Sequence, residues 1–211
     1  MARMPYGLMG PLIGRIGNVV VVNGKYGPYI RSAPRKKRDR PTPAQKIQRS
    51  KFAAISRFLS PMRDLLTVTF NIKGSKKTAW GEASSYNARN AIYTSGQKQK
   101  ILYSAALVSQ GNLPGAWTAS AAVTAPVTIT FNWEDNSNWG SARPYDKAIL
   151  VIYCESLKKC VYITDGAYRN SGTDAIQVPA FSGKTVQTWL AFISANGKEI
   201  APSVYTGELT L

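Results

Sequence analysis

Six cations crowd into ten residues of this chain: Arg31, Arg35, Lys36, Lys37, Arg38 and Arg40. Side chains that close in sequence can engage neighbouring phosphates together, which gives affinity and steep salt dependence without reading bases. Tyr26 and Tyr29 precede the run, and rings beside cations are the parts that single-strand binders use to stack bases. These two are therefore candidates for stacking; Phe52 lies on the other side, twelve residues beyond Arg40, and for Tyr29 and Phe52 core packing is the competing role. The charge continues into Lys46, Arg49 and Arg57. Nucleic acid or an acidic protein surface is the expected partner. Pro-Arg-Lys-Lys-Arg also matches the letters of a nuclear-localisation signal, a match common by chance.

Catalytic chemistry finds fewer tools. The 211 residues contain no histidine, the usual general acid–base group near neutral pH, so Ser-His-Asp and Cys-His arrangements are excluded. Paired carboxylates remain, and Glu134-Asp135 is the only adjacent acidic pair. It sits beside Asn136, Ser137 and Asn138 and reads as a solvated turn before a calcium or hydrolytic site. Trp139 follows, either as an exposed contact at a loop tip or as core. Cys154 and Cys160 flank Glu-Ser-Leu-Lys-Lys, a turn that could set them facing across a hairpin, as thiols or as a disulfide according to compartment. Two thiols without histidine fall short of a zinc site. The glycines from Gly10 to Gly27 are not followed by Gly-Lys-Ser/Thr, so a phosphate-binding loop is not expected. No catalytic residue, metal or cofactor is expected.

These residues need elements to position them. Ile16 to Val22 and Tyr26 to Arg31 flank Asn23-Gly24, the dipeptide that suits a type I′ turn, and predict a hairpin over 15–32. Pro34 and Pro41 frame the basic run and favour extended backbone. Thr42-Pro43-Ala44-Gln45 is a capped helix start. At 100° per residue, Ile47, Phe52, Ile55, Phe58, Leu59, Met62, Leu65 and Leu66 fall within about 140° of arc, with Lys46, Arg49, Arg57 and Arg63 outside it. Pro61 should kink this helix or start a second. A strand over 67–72, a helix over 79–92 anchored by Trp80 and Tyr86, and a strand over 101–109 follow. Gln110 to Gly115 is the expected domain boundary.

After Trp117 come short strands separated by Gly/Asn/Asp turns, over 127–133, 147–154, 160–164, 175–178, 185–194 and 203–211; Ala119 to Ala125 is merely alanine-rich. This predicts an α+β N-terminal region of β-hairpin plus amphipathic helices (1–114), followed by an all-β immunoglobulin/fibronectin III-like sandwich (115–211), with a small barrel as the alternative.

Charge divides along the same line. Residues 1–100 hold 20 Lys/Arg against three acids, and residues 101–211 hold seven against eight. Solubility alone would not require such segregation. No signal peptide and no membrane span is read, so cytoplasmic synthesis is expected, with incorporation into a virion or other particle open.

Gly10-Pro-Leu-Ile-Gly14-Arg-Ile-Gly17-Asn-Val-Val, then Tyr29-Ile-Arg31-Ser32-Ala-Pro34-Arg-Lys, then Pro41-Thr-Pro-Ala44-Gln45-Lys-Ile-Gln48-Arg49-Ser-Lys51-Phe52 occur in that order. With Ser109-Gln110-Gly111-Asn112-Leu113-Pro114, the pattern resembles an uncharacterised family of Bacteroidota proteins of about this length. The resemblance implies a bacterial or bacteriophage setting and supplies no activity. The expected function is a non-enzymatic structural or assembly protein, such as a phage virion component, with a basic arm that docks on nucleic acid or an acidic partner and a sandwich that contacts other subunits. The alternatives are a soluble, sequence-nonspecific nucleic-acid-binding protein and an adhesion or carbohydrate-binding sandwich.

Overall fold

Gly17 adopts φ +54°, a backbone that side chains rarely take, and a glycine in first place lets a two-residue turn follow the strand twist. Strand β1 (Gly14–Ile16) therefore folds back through Gly17 and Asn18 onto β2 (Val19–Gly24), with Ile16 opposite Val19. β2 turns through Lys25 and Tyr26 onto β3 (Gly27–Ser32), with Gly24 opposite Gly27. The hairpin thus stands where the sequence predicts it, but its turn comes two residues later. Asn23 and Gly24 are held in the ladder, and the positive φ falls at Gly27. The Tyr29 ring covers Gly24, where a Cβ would come within 3.0 Å of it.

The computed structural model describes residues 12–34, 40–71, 76–95 and 98–211. The chain divides into two compact units, Met1–Thr42 and Pro43–Leu211. The three-stranded meander belongs to the first. Gln110–Gly115, the expected boundary, runs inside the second.

In the second unit, helix α1 (Pro43–Leu59) begins at the predicted proline. Pro61 lies in a 3-10 turn over Ser60–Met62, after which α2 (Arg63–Thr69) continues. In the expected strand over 67–72, residues 67–69 are instead the end of α2, Phe70 is its C-cap, and Asn71 lies beyond it. Leu65, Leu66, Thr69 and Phe70 are buried at helical spacing, and burial outweighs the β-propensity of Thr67-Val68-Thr69. The Thr67 and Thr69 hydroxyls donate back to the Arg63 and Leu65 carbonyls, both at 3.1 Å. α3 (Ala79–Asn90) starts at Thr78, whose Oγ1 accepts from the Gly81 amide at 3.1 Å. Thr78 is its N-cap.

The expected strand over 101–109 does not form: Ile101 ends a hairpin of β4 (Ile92–Ser95) with β5 (Lys98–Ile101), and a 3-10 turn over Tyr103–Ala105 and an irregular segment follow. Side chains satisfy that segment's backbone in place of a ladder. Asn87 Oδ1 accepts from the Leu107 amide at 3.1 Å, and its Nδ2 donates to the Leu107 carbonyl at 3.0 Å. Trp189 Nε1 donates to the Ala106 carbonyl at 3.1 Å, and Ser203 Oγ accepts from the Val108 amide at 2.9 Å.

Seven strands follow, all paired antiparallel: β6 (Trp117–Ala125), β7 (Thr128–Glu134), β8 (Lys147–Cys154), β9 (Lys159–Ile163), β10 (Thr173–Gln177), β11 (Thr185–Ile193) and β12 (Val204–Thr210). They form one sheet in the order β10-β7-β6 and another in the order β12-β11-β8-β9. The fold is a β-sandwich. β6 is the alanine-rich stretch not expected as a strand; small side chains signal β-structure weakly, and it is an edge strand with two register breaks.

Ile129, Phe131 and Trp133 of β7 meet Leu150, Ile152, Leu190 and Phe192 between the sheets. The other face of β8 and β11 carries Ile149, Val151, Tyr153, Trp189 and Ala191, and packs on Ile55, Phe58, Leu59, Met62, Leu65 and Leu66 of the helices. The four-stranded sheet is thus covered on both faces, which is why β8 and β11 read as nearly unbroken apolar runs. Phe58 sits edge-on to Tyr153, with ring centroids 5.2 Å apart, and 5.8 Å from Trp189.

The cysteines do not face each other. Cys160 is opposite Tyr153 and Cys154 opposite Lys159, so the one-residue offset sends the two sulfurs to opposite sheet faces. Both are free thiols. Burial pushes the Cys160 thiol from 9.0 up to about 12. Burial, followed by the Glu155 carboxylate, pushes Tyr153 from 10.0 up to about 12 and raises Tyr103 as well. The folded chain then holds these protons where the unfolded chain has released them. The contribution of these three groups to stability should therefore be level below about pH 9 and fall as pH rises toward 12. Denaturant midpoints at about pH 8 and about pH 11 measure this decline.

Pro126 and Val127 form the β6–β7 turn. Val127 follows Pro126 with φ +59°, a value that turn position ordinarily reserves for glycine. Val127→Gly should raise stability by about 1 kcal/mol, read by thermal unfolding.

Candidate nucleic-acid interface

In the first unit, β-sheet register assembles what the linear sequence separates. Arg15 is opposite Val20, and Val20 opposite Arg31, so a valine is flanked by two arginines on one sheet face. Val22 and Tyr29, an opposed pair two residues along, share that face. Arg15 Nε donates to the Gly17 carbonyl at 3.0 Å, which leaves its terminal nitrogens to project. Both arginines are exposed, and Tyr29 is half exposed. Tyr26 stands on the β2–β3 turn, 79% exposed, with Lys25 Nζ 5.8 Å from its ring centroid.

The opposite face of the meander carries Ile16, Val19, Val21 and Ile30, three of them exposed. Among the described residues of this unit the charged side chains are Arg15, Lys25, Arg31 and Arg40, with no carboxylate. The centre of the basic run, Arg35, Lys36, Lys37 and Arg38, lies outside the described residues.

In the second unit, Lys46, Arg49 and Arg57 are exposed on α1. At 100° per residue they share an arc of about 80° and span about 16 Å of helix, a cationic stripe. The predicted apolar arc is used only in part. Ile55, Phe58 and Leu59 are buried, whereas Ile47 and Phe52 are 51% and 59% exposed. Those two sit at the margins of the arc, in the part of α1 before its first buried residue.

Arg57 also lines a cleft of about 240 Å³ with Lys100 of β5 and Lys158 of the β8–β9 turn. Phe58, Tyr103 and Tyr153 line it too, and Glu155 is its one carboxylate. Three cations against one acid make an anion-attracting hollow. Arg15, Lys100 and Lys158 escape a search for charge runs, because each is brought into place by strand pairing or by a turn distant in sequence.

In the acidic pair, Glu134 ends β7 and Asp135 begins the loop after it. Glu134 Oε2 accepts from Thr118 Oγ1 at 2.8 Å, and Asp135 Oδ1 accepts from the Ser137 amide at 2.9 Å. Among the described residues there is no group of three His, Cys, Asp or Glu side chains placed to hold a metal ion. Nor is any helix of the described residues long and apolar enough to cross a membrane.

The model of a family of unknown function, DUF6266, matches residues 11–207. No curated protein matches the sequence. The chain belongs to the DUF6266 family.

Proposed function

We propose that this member of the family is a non-enzymatic structural or assembly protein, whose basic first unit and α1 dock on nucleic acid or an acidic partner while its sandwich contacts other proteins. A phage virion or similar particle in Bacteroidota is the setting we favour. The observation that carries the reading is the first unit's charge: every charged side chain described there is cationic, and two of them share a sheet face with Tyr29. A sheet face bearing arginines and a half-exposed ring suits a single strand, with phosphates held by charge and a base stacked on the ring. The exposed aliphatic face behind it supports assembly, since a three-stranded sheet gains stability by covering such a face.

The strand orders β10-β7-β6 and β12-β11-β8-β9 support assigning the sandwich to the fibronectin III-like type. Sandwiches of that kind serve many functions, so the assignment adds architecture and no activity.

Titration with a labelled single-stranded oligonucleotide at several salt concentrations tests the reading. Affinity should fall linearly with salt on logarithmic axes. Changing Arg35, Lys36, Lys37 and Arg38 to alanine should weaken binding by about 100-fold or more at low salt and flatten the slope by about 0.7 for each phosphate no longer neutralised. A second variant, Arg15→Ala with Arg31→Ala, should weaken binding while leaving the unfolding midpoint of the second unit unchanged. No binding by the wild type at low salt would remove nucleic acid as the partner, and equal binding by the first variant would remove the basic run as its docking surface. Particle size by light scattering separates an assembly subunit from a monomer that binds nucleic acid alone.

A further inference from the structure

Four large aromatic rings stand exposed on the loops at one end of the sandwich. Trp117, at the start of β6, and Trp139, in the β7–β8 loop, have ring centroids 5.4 Å apart and planes tilted by 53°. Tyr145 of the same loop and Tyr168 of the β9–β10 loop meet edge to face at 5.8 Å. Their exposures run from 42% to 63%. Four rings of this size left in water within one set of loops form the kind of patch that marks a binding surface.

The backbone under each ring is pinned by one buried network. Arg169, wholly buried, donates from Nε to Asp146 Oδ2 at 3.1 Å, from Nη1 to Asn136 Oδ1 at 2.6 Å, and from Nη2 to the Pro114 carbonyl at 3.0 Å. Asn136 Nδ2 donates in turn to the Gly115 carbonyl at 2.9 Å. Trp117 lies two residues beyond Gly115, and the Trp139 amide donates to the Asn136 carbonyl at 3.1 Å. Tyr145 precedes Asp146 and Tyr168 precedes Arg169. Rings held on such a base lose little freedom when a ligand arrives.

The chemistry around the rings indicates what they bind. The exposed large apolar side chains of these loops are all aromatic. Their exposed polar neighbours include the neutral groups Asn138, Ser141 and Asn170. Charge is nearly balanced, and Lys147 is ion-paired with Asp165. A polyanion would find no field here, and a protein interface of aliphatic character would find no aliphatic patch. A sugar ring offers both matching features: C–H groups that a π-face attracts, and a rim of hydroxyls for amides and hydroxyl side chains.

We propose that this end of the sandwich binds a neutral oligosaccharide chain, with Trp117 and Trp139 stacking on neighbouring sugar rings. Two planes tilted by 53° cannot both lie flat under a ribbon-like glycan, so the chain is a curved one, in which successive rings rotate. The site uses none of the basic-surface residues, and the proposal does not depend on nucleic-acid binding.

The test is calorimetric titration of the full-length protein with maltohexaose and laminarihexaose as curved probes and cellohexaose as the flat one. A curved hexasaccharide should bind, and Trp117→Ala and Trp139→Ala should each weaken it about tenfold or more, with unfolding midpoints showing that both variants fold. Bound sugar should also shield the wild-type indoles from acrylamide quenching, a readout that needs no variant. The proposal is overturned if no curved probe binds up to about 10 mM, if both tryptophan variants bind as the wild type does, or if cellohexaose binds more tightly than either curved probe. A protein partner held through these rings, with no hexasaccharide binding, would overturn it equally.

Discussion

Arg169→Ala should destabilise the second unit by about 3–5 kcal/mol, read as a lower denaturant midpoint at unchanged slope. The guanidinium is fully buried and the Asp146 carboxylate is 1% exposed, so removing the cation leaves an anion in a site that water does not reach. Asn136 Oδ1 and the Pro114 carbonyl lose a donor as well. Burial pulls the Arg169 pKa down, against the Asp146 carboxylate, which holds it up. The pair and its hydrogen bonds together make the buried charge tolerable, which neither does alone. Arg169 also lies over the Phe192 ring at 3.8 Å, an interaction that alanine cannot make. The double change Arg169→Met with Asp146→Leu should recover part of the loss, because two buried charges disappear together. A single variant within about 0.5 kcal/mol of wild type would contradict this account of the network.

Gly111→Ala is the second large effect, about 3 kcal/mol of destabilisation. A Cβ at Gly111 would lie 2.1 Å from the Ile200 carbonyl oxygen and 3.0 Å from its carbon. That obstacle is backbone and cannot rotate away. The same carbonyl accepts from the Leu113 amide at 3.1 Å, so pushing the segments apart also strains the bond that seats Leu113 in the inter-sheet core. Gly115→Ala is the matched control: its nearest new neighbours, at 3.6 and 3.7 Å, are ordinary packing, and little change is expected. Comparison of the two midpoints separates crowding at Gly111 from any general intolerance of the loop.

Local pattern carried the reading furthest where one face of an element meets one partner. Thr42-Pro43 marked the start of α1, Pro61 its break, and the alternation of Ile129, Phe131 and Trp133 the inner face of β7. Pattern misled where tertiary packing overrode propensity. Thr67 to Thr69 look like strand residues, but their neighbours Leu65, Leu66 and Phe70 go to the core only as a helix. Residues 106–109 look like a strand but are irregular, and side chains from Asn87, Trp189 and Ser203 take the place of a partner strand. Ala119 to Ala125 has only Val123 and Thr124 to announce a strand among alanines and a serine, and an edge strand can be built from such small residues.

The candidate interface divides the same way. The sequence alone established an uneven charge, a chain without the residues for histidine-based catalysis, and a basic run with tyrosines beside it. These follow from residue types and their order along the chain and hold for any fold. Only tertiary structure decided that Arg15 shares a sheet face with Arg31, that Lys100 and Lys158 join Arg57 around a cleft, and that Arg169 is buried beneath four exposed rings. The reason is physical: strand register and loop packing join residues tens of positions apart, whereas charge runs and helical periodicity are properties of neighbours. Cys154 and Cys160 show the limit at its narrowest. Six residues apart, they suggested a facing pair, and a one-residue offset in the β8–β9 register placed them on opposite faces of the sheet.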